Sequence, residues 1–335
     1  MKRIGAVLIA LGAFVAAAYP FVITSSYFRF VGVLTLMYAA LATSWNIMGG
    51  FTGYISLGHS AFFGVGAYTA GLLITRLSVP SYASVLIAGV GVGLAAVAVG
   101  YVAVRVRGAS FVIVTIALVY ITSLLAQGWR GLTGGSQGLT VPPPIDVGRS
   151  ERHVFFYFLF LVLLGAVLFL WSFIGRSKFG MGLKAIREDE DKAESLGVPT
   201  TAYKVVAFGL SCGLTAVAGA FYGMWFGFLD PIFVFSVVIS ANTVLMALLG
   251  GIRHLWGPVL GALIIIPGTE YFLAEYGATQ AHLVASGLLL GVVVLLMPHG
   301  IIPALRALAS RRHPTVSIRE AVPDPSEPRI DAGAA

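Results

Sequence analysis

Charge is what this chain has least of. Of its 335 residues only 10% are Asp, Glu, Lys or Arg, against about a quarter in a soluble domain. So few charged groups cannot cover a water-facing surface, which excludes an ordinary soluble protein. The fourteen acids are the scarcer sign, and only Asp146 and Glu151 precede residue 188. A single cysteine, Cys212, excludes an internal disulfide and gives a thiolate metal site no second thiolate ligand. No G-x-x-x-x-G-K-[ST] stretch occurs, so the chain carries no recognisable phosphate cradle of its own. Gly64-Val65-Gly66 follows no strand and reads as a site of close helix packing. There is no H-E-x-x-H, no nucleophile paired with a base and no carboxylate pair at membrane depth, so neither catalytic residues nor metal ligands are expected. The net charge of +7 is not interleaved with aromatics on a polar face, which argues against nucleic acid as a partner.

What fills the chain instead is apolar sequence, 58% of all residues. Runs long enough to cross a hydrocarbon core as helix, roughly 20 residues each, fall near 5–25, 31–49, 60–77, 82–104, 110–127, 154–174, 205–227, 236–252, 257–274 and 281–298. The expectation is an all-α, polytopic membrane protein of about ten transmembrane helices embedded in lipid. Met1-Lys2-Arg3 followed by Ile4 to Ala18 resembles a signal peptide but reads as a retained first span, since further spans follow. Basic residues concentrate in loops on the cytoplasmic side. Lys2 and Arg3, Arg105 and Arg107, the 176–204 loop, Arg253 and His254, and the Arg306–Arg312 stretch are separated by even numbers of spans, so one topology with both termini inside satisfies them all. Arg29, Arg76, Arg130, Arg149 and Arg152 then fall outside, with the 128–153 loop. Residues 1–305 are expected to form the transmembrane domain, and the Pro-rich, charged 306–335 reads as a disordered cytoplasmic tail. The glycine-rich 44–70 stretch makes a poor lipid-facing helix and predicts a broken or re-entrant element.

One compact island departs from this pattern. Arg176 to Lys204 holds five acids, Glu188, Asp189, Glu190, Asp191 and Glu194, and no charge follows it until Asp230. Leu183–Ile186 and Ala193–Leu196 are helix-compatible, Gly197 suits the residue after a helix end and Pro199 stops continuation. One or two short helices across the cytoplasmic face follow, with Leu183, Ile186, Ala193 and Leu196 available for packing. An ordinary solvated loop and a docking surface for a soluble partner both fit the composition.

The order of residues adds a resemblance. Gly182-x-x-x-Ala185-Ile186-Arg187-Glu188 followed by Ala193-Glu194-Ser195-Leu196-Gly197-Val198 looks like the cytoplasmic coupling segment of ABC importer permeases. Gly53-x-x-Ser56-Leu57-Gly58-His59-Ser60-Ala61-Phe62-Phe63-Gly64, Met246-Ala247-Leu248-Leu249-Gly250-Gly251 with Gly257-Pro258-Val259-Leu260-Gly261-Ala262, and Thr133-Gly134-Gly135-Ser136 in the outer loop fit the same family. The chain is most similar, over about residues 31–300, to the permeases of branched-chain amino acid uptake systems (the Liv type); Ser44-Trp45-Asn46 and Gln137 depart from the pattern. The resemblance implies a bacterial inner-membrane importer subunit that binds no cofactor itself. Cytoplasmic ATPase subunits use the ATP, a second permease subunit completes a heterodimer, and an extracytoplasmic solute-binding protein delivers substrate. It places ATPase coupling on Gly182, Ala185, Arg187, Glu188, Ala193, Glu194, Leu196 and Gly197.

For the substrate pathway, Asn46, Ser56, Gly58, His59, Ser60 and Asn242 are the polar or small residues at hand within or beside the spans. His59 either lines a path or bridges helices. Branched-chain amino acids, urea or short amides, and other small solutes fit such a permease alike. An ion-coupled transporter is the mechanistic rival, and apart from His59 the predicted spans offer it no candidate acid at their centres.

Overall fold

A computed structural model describes residues 12, 14–145, 147–277 and 301. Helix α1 covers residues 14–22. It is followed by α2 (Ser26–Thr52), α3 (His59–Leu77), α4 (Ser81–Ala103), α5 (Ala109–Gly128) and the single turn α6 (Arg130–Thr133). Beyond the outer loop come α7 (Arg149–Arg176), α8 (Lys178–Glu188), α9 (Glu190–Ser195) and α10 (Thr200–Phe226). The described residues end with α11 (Pro231–Val234), α12 (Val237–Gly250) and α13 (Gly257–Tyr276). Two-residue strands, β1 (Leu139–Thr140) and β2 (Phe228–Leu229), pair antiparallel with Leu139 opposite Leu229. Eight helical segments among the described residues are long and apolar enough to span a bilayer, α11 and α12 counting as one. They match the eight central expected spans. Of the other two, 281–298 lies outside the described residues and 5–25 is represented only by α1. The tail at 306–335 also lies outside them.

Burial sorts these helices. In the most apolar stretches of α2 and α10, 83% and 72% of residues are buried, against 28% and 22% in α4 and α5. A helix apolar on all sides belongs in a core or in lipid, and here α2 and α10 take the core while α4 and α5 face outward. Leu86, Val90 and Leu94 on α4 and Ile113, Tyr120 and Leu124 on α5 are exposed at helical spacing, as a lipid-facing surface requires.

Lipid supplies no hydrophobic drive for helix association, so close van der Waals contact between small residues must hold the bundle. Accordingly α10 packs against α2, α3 and α4, and against the last two it does so through glycines. A Cβ on Gly219 would overlap the Phe63 carbonyl of α3, and one on Gly213 would stand 3.0 Å from the Gly89 carbonyl of α4.

The glycine-rich stretch differs from expectation. Helix α2 runs unbroken through Gly49 and Gly50 to Thr52, and the interruption is a six-residue turn, 53–58, between two full spans. These glycines make room rather than break the helix: a Cβ at Gly49 would overlap the Trp45 ring, and one at Gly50 the Asn46 amide. Termination falls to Gly53, whose φ of +77° is left-handed and whose N–H reaches the Gly49 carbonyl.

The loops sort onto two ends as the charges predict. One end gathers Gly50, Tyr54, Arg107, Glu190 and Lys204. At the other, Arg76 donates to the Gly131 carbonyl and β1 pairs with β2. Arg29, the first of the outer arginines, is held there by the Pro20 and Ile23 carbonyls at the end of α1 and by Ser150 Oγ at 2.7 Å. Its charge is consumed by helix-end carbonyls, which explains a basic residue on that side.

Candidate functional site

The charged island folds as two short helices joined at a break. Helix α8 begins at Ser177, whose hydroxyl accepts from the Gly180 N–H. It ends where Asp189 turns extended (φ −163°), and the Asp189 side chain accepts from the Lys192 N–H to start α9. That bond, the Lys192 side chain and its charge hold the Asp189 carboxyl below the usual carboxylate range. Helix α9 closes with Gly197 in the left-handed region (φ +85°), with the Gly197 N–H on Glu194 and the Val198 N–H on Ala193.

This geometry divides the island into an inner and an outer face. Of the four residues available for packing, Leu183, Ile186 and Ala193 are buried, whereas Leu196 is 84% exposed. It stands beyond the last turn of α9, where the Gly197 reversal leaves it on the outer side. Gly182 lies against the Tyr203 ring, Ala185 is half-buried, and Arg187 donates to the Gly50 carbonyl at 2.8 Å, satisfying an orphan acceptor in the last turn of α2. Glu188, Glu194, Leu196 and Gly197 face outward. Glu194 borders an open groove of about 580 Å³ walled by Tyr101, Pro199, Thr200, Thr201 and Val206.

Glu190 alone among the five acids is a hub. Its Oε1 receives Lys204 Nζ at 2.7 Å and an Arg107 nitrogen at 3.2 Å, and its Oε2 accepts the Tyr54 hydroxyl. Lys204 is 2% exposed and uses its three donors on Glu190, the Tyr54 oxygen (3.1 Å) and the Val104 carbonyl (3.2 Å). Burial raises the Glu190 pKa, but the bonds from Lys204 and Tyr54, with the charges of Lys204 and Arg107, outweigh it and leave the carboxyl below its ordinary range. Burial, then the bond to Glu190, push the Tyr54 hydroxyl up. The spacing of the island gives no hint of Lys204, Tyr54 or Arg107. The one usable signal is that Lys204 is the last charge before 25 uncharged residues.

The six residues expected along the substrate pathway are only partly brought together. His59 Nε2 lies 2.7 Å from Ser211 Oγ, whose hydroxyl donates to the Ser44 carbonyl at 2.6 Å. With its one proton spent on Ser44, Ser211 accepts from His59, which fixes the Nε2–H tautomer. Ser60 and Ser240 exchange two bonds, N–H to Oγ at 2.8 Å and hydroxyl to hydroxyl at 2.9 Å. The Ser56 carbonyl accepts from Trp45 Nε1, its Oγ accepts from the Gly58 N–H, and Gly58 sits against Thr115. These four positions tie α2, α3, α5, α10 and α12 together at the turn. Asn46 is fully buried beside them, and neither atom of its amide has a partner among the described residues. Asn242 stands apart: two residues past Ser240, it points to the opposite side of α12, toward Tyr38. Among the described residues no three His, Cys, Asp or Glu side chains cluster as a metal site.

The model of the family described as "Branched-chain amino acid transport system / permease component" matches residues 26–298. The chain belongs to this family. It is a multi-pass membrane transport component rather than an enzyme. It is 28% identical to the high-affinity branched-chain amino acid transport system permease protein LivM of Escherichia coli K12, over 87% of this chain and 73% of that protein. Identity to the LivH permease protein of the same system name and organism is 29%, over 79% of this chain and 91% of LivH. The BraD permease protein of Pseudomonas aeruginosa is 28% identical with the same two coverages. No solved structure matches the chain. The match takes in α2 through α13, so the two-faced charged segment and the turn at 53–58 both lie within the permease component.

Proposed function

We propose that this permease is one subunit of an ATP-driven ABC importer in the bacterial cytoplasmic membrane, moving branched-chain or related hydrophobic amino acids inward with both termini cytoplasmic. The observation that carries the reading is the division of the charged segment: an inner face fastened to the bundle, and an outer face of Glu188, Glu194 and Leu196 left to water. An exposed leucine flanked by acids at the end of a short, capped helix suits a soluble partner. The chain has no P-loop, so that partner is the ATPase. Gly182, Ala185, Arg187 and Ala193 fix the segment to the spans, and Glu188, Glu194, Leu196 and Gly197 meet the ATPase. A second permease subunit and an extracytoplasmic binding protein complete the assembly. The similarity to both LivM and LivH, two permease proteins of one organism, supports an unlike second subunit.

Within the membrane, Ser56, Gly58, His59 and Ser60 border the pathway by holding its helices in register. Asn46, whose amide has no partner among the described residues, and Asn242, which bonds Tyr38, are the polar anchors offered to a passing solute. Few such anchors suit an aliphatic side chain that must be admitted and then released.

Proteoliposomes holding this chain with its ATPase, sister permease and binding protein test the reading. Leucine uptake should require ATP, and Glu194→Lys should abolish uptake and stimulated hydrolysis while leaving insertion and melting temperature unchanged. Uptake by this chain alone, driven by a proton or sodium gradient, would refute it; uptake of urea or amides in place of leucine would move the substrate.

A further inference from the structure

Helix α9 is six residues long and buries only Ala193. So short a helix has little apolar contact with which to pass on a force. What fastens it is the Glu190 carboxylate, whose side chain is 11% exposed against 67% for Glu188 and 79% for Asp191. Through that one group α9 is joined to three places: α10 by Lys204, the α2–α3 turn by Tyr54, and the α4–α5 turn by Arg107.

Lys204 is also the first of a buried row on α10. Phe208, Ser211 and Thr215 follow it four, seven and eleven residues on, the spacing of one helix face, and all are buried. Phe208 packs edge-on against His59 and Phe111, and Ser211 ties His59 of α3 to the Ser44 carbonyl of α2. A displacement of α9 therefore enters α10 at Lys204. Two turns deeper it meets the bonds that join α10 to α2 and α3. A carboxylate held at both oxygens, Oε1 by Lys204 and Arg107 and Oε2 by the Tyr54 hydroxyl, also fixes the rotation of α9 about its axis, which a sliding apolar contact would not.

We propose that Glu190 and Lys204 form a transmission clasp, positioning residues that convert partner-driven movement of α9 into movement of α10, separate from the outward residues that dock the partner. This role rests on the reading of the segment as the ATPase-coupling element. Tyr54 and Arg107 hold the clasp in register from the neighbouring turns.

The test compares wild type, Glu190→Gln, Lys204→Met and the charge-reversed pair Glu190→Lys with Lys204→Glu in the reconstituted complex. Glu190→Gln keeps the shape of the side chain and guards against a reversed pair that does not fold. In both single variants the ATPase should still co-purify and hydrolyse ATP within about twofold of wild type, while substrate moved per ATP falls about tenfold or more. The reversed pair should recover part of that ratio. An unchanged ratio in both single variants, or loss of the ATPase from the complex, would overturn the proposal, the second by making Glu190 a docking residue. Melting of the purified chain alone separates the layers. The two single variants should each lower the melting temperature, and the Glu190→Gln/Lys204→Met double variant should lower it less than their sum. Strictly additive shifts would overturn the clasp itself, whereas a wild-type complex that hydrolyses no ATP would overturn the functional reading and the transmission role with it.

Discussion

Replacing Gly197 isolates the backbone's share in holding the outward face of the proposed coupling segment. Gly197 has φ +85°, and a Cβ built there meets nothing within 4 Å, so no steric contact inside the chain contributes. The whole effect is then the cost of the left-handed conformation, about 1–3 kcal/mol for a non-glycine residue, least for Asn and greatest for a β-branched side chain. A penalty near 1.4 kcal/mol shifts the local equilibrium about tenfold. The chain escapes the strain only by giving up two bonds, Gly197 N–H to Glu194 and Val198 N–H to Ala193, at 2.9 and 3.0 Å. Glu194 and Leu196 then lose their fixed direction. Hydrogen exchange over residues 189–198 in detergent should accelerate in the order Gly197→Asn, Gly197→Ala, Gly197→Val, and coupled uptake should fall in the same order. Equal protection in the valine and glycine proteins would refute the reasoning. Equal damage by asparagine and valine would also refute it, since that pattern belongs to a steric clash with the partner.

Ser211→Ala strips His59 Nε2 of its partner inside the bundle and should cost about 1–3 kcal/mol, read as a lower melting temperature of the purified chain; an unchanged melt would mean the His59–Ser211 contact adds nothing. Gly219→Ala pushes a methyl group into the Phe63 carbonyl and should abolish monodisperse protein on size-exclusion chromatography, whereas Gly165→Ala, with open space around it on α7, should gain up to about 1 kcal/mol. Because the folded Glu190 carboxyl titrates below its unfolded value, its stabilisation is complete above the ordinary carboxylate range, about pH 4.3, and is lost as pH falls through the depressed value. Wild type should therefore melt above Glu190→Gln at pH 7, and the difference should close on acidification below pH 4; a gap that persists there would place the ion pair elsewhere.

The eight spans are legible because each apolar run meets a single requirement, the thickness of the hydrocarbon core. Their end-to-end order is legible because the basic clusters are separated by even numbers of spans. The charged segment at 176–204 is legible because charge is scarce elsewhere, as an island. What cannot be read is which of its adjacent acids turns inward. Glu188 and Glu190 are chemically identical and two residues apart, and only the extended Asp189 between them sends one to water and the other to Lys204. The partners that decide the matter lie far away in sequence, Tyr54 by 136 residues and Ser211 from His59 by 152. The glycine-rich stretch misleads for a related reason. A glycine that breaks a helix and one that admits a neighbouring ring look alike until the Trp45 side chain is seen lying over Gly49.

The same scarcity of polar groups bears on mechanism. In a bundle held by small residues, helices can slide unless polar contacts fix them, since lipid and leucine offer equivalent surroundings. Among the described residues the buried polar contacts between distant helices concentrate toward one end, at Tyr54–Glu190–Lys204, at Ser44–His59–Ser211 and at Ser60–Ser240. α10 enters the first two and meets α3 in the second, and α3 carries the third to α12. Along their length α10 and α4 meet through small residues, as at Gly213 against Gly89, and a polar tie comes at the end of α4, where Lys204 Nζ reaches the Val104 carbonyl. A force applied at the charged segment thus meets a bonded unit of α2, α3, α10 and α12, and reaches α4 where Lys204 holds the Val104 carbonyl.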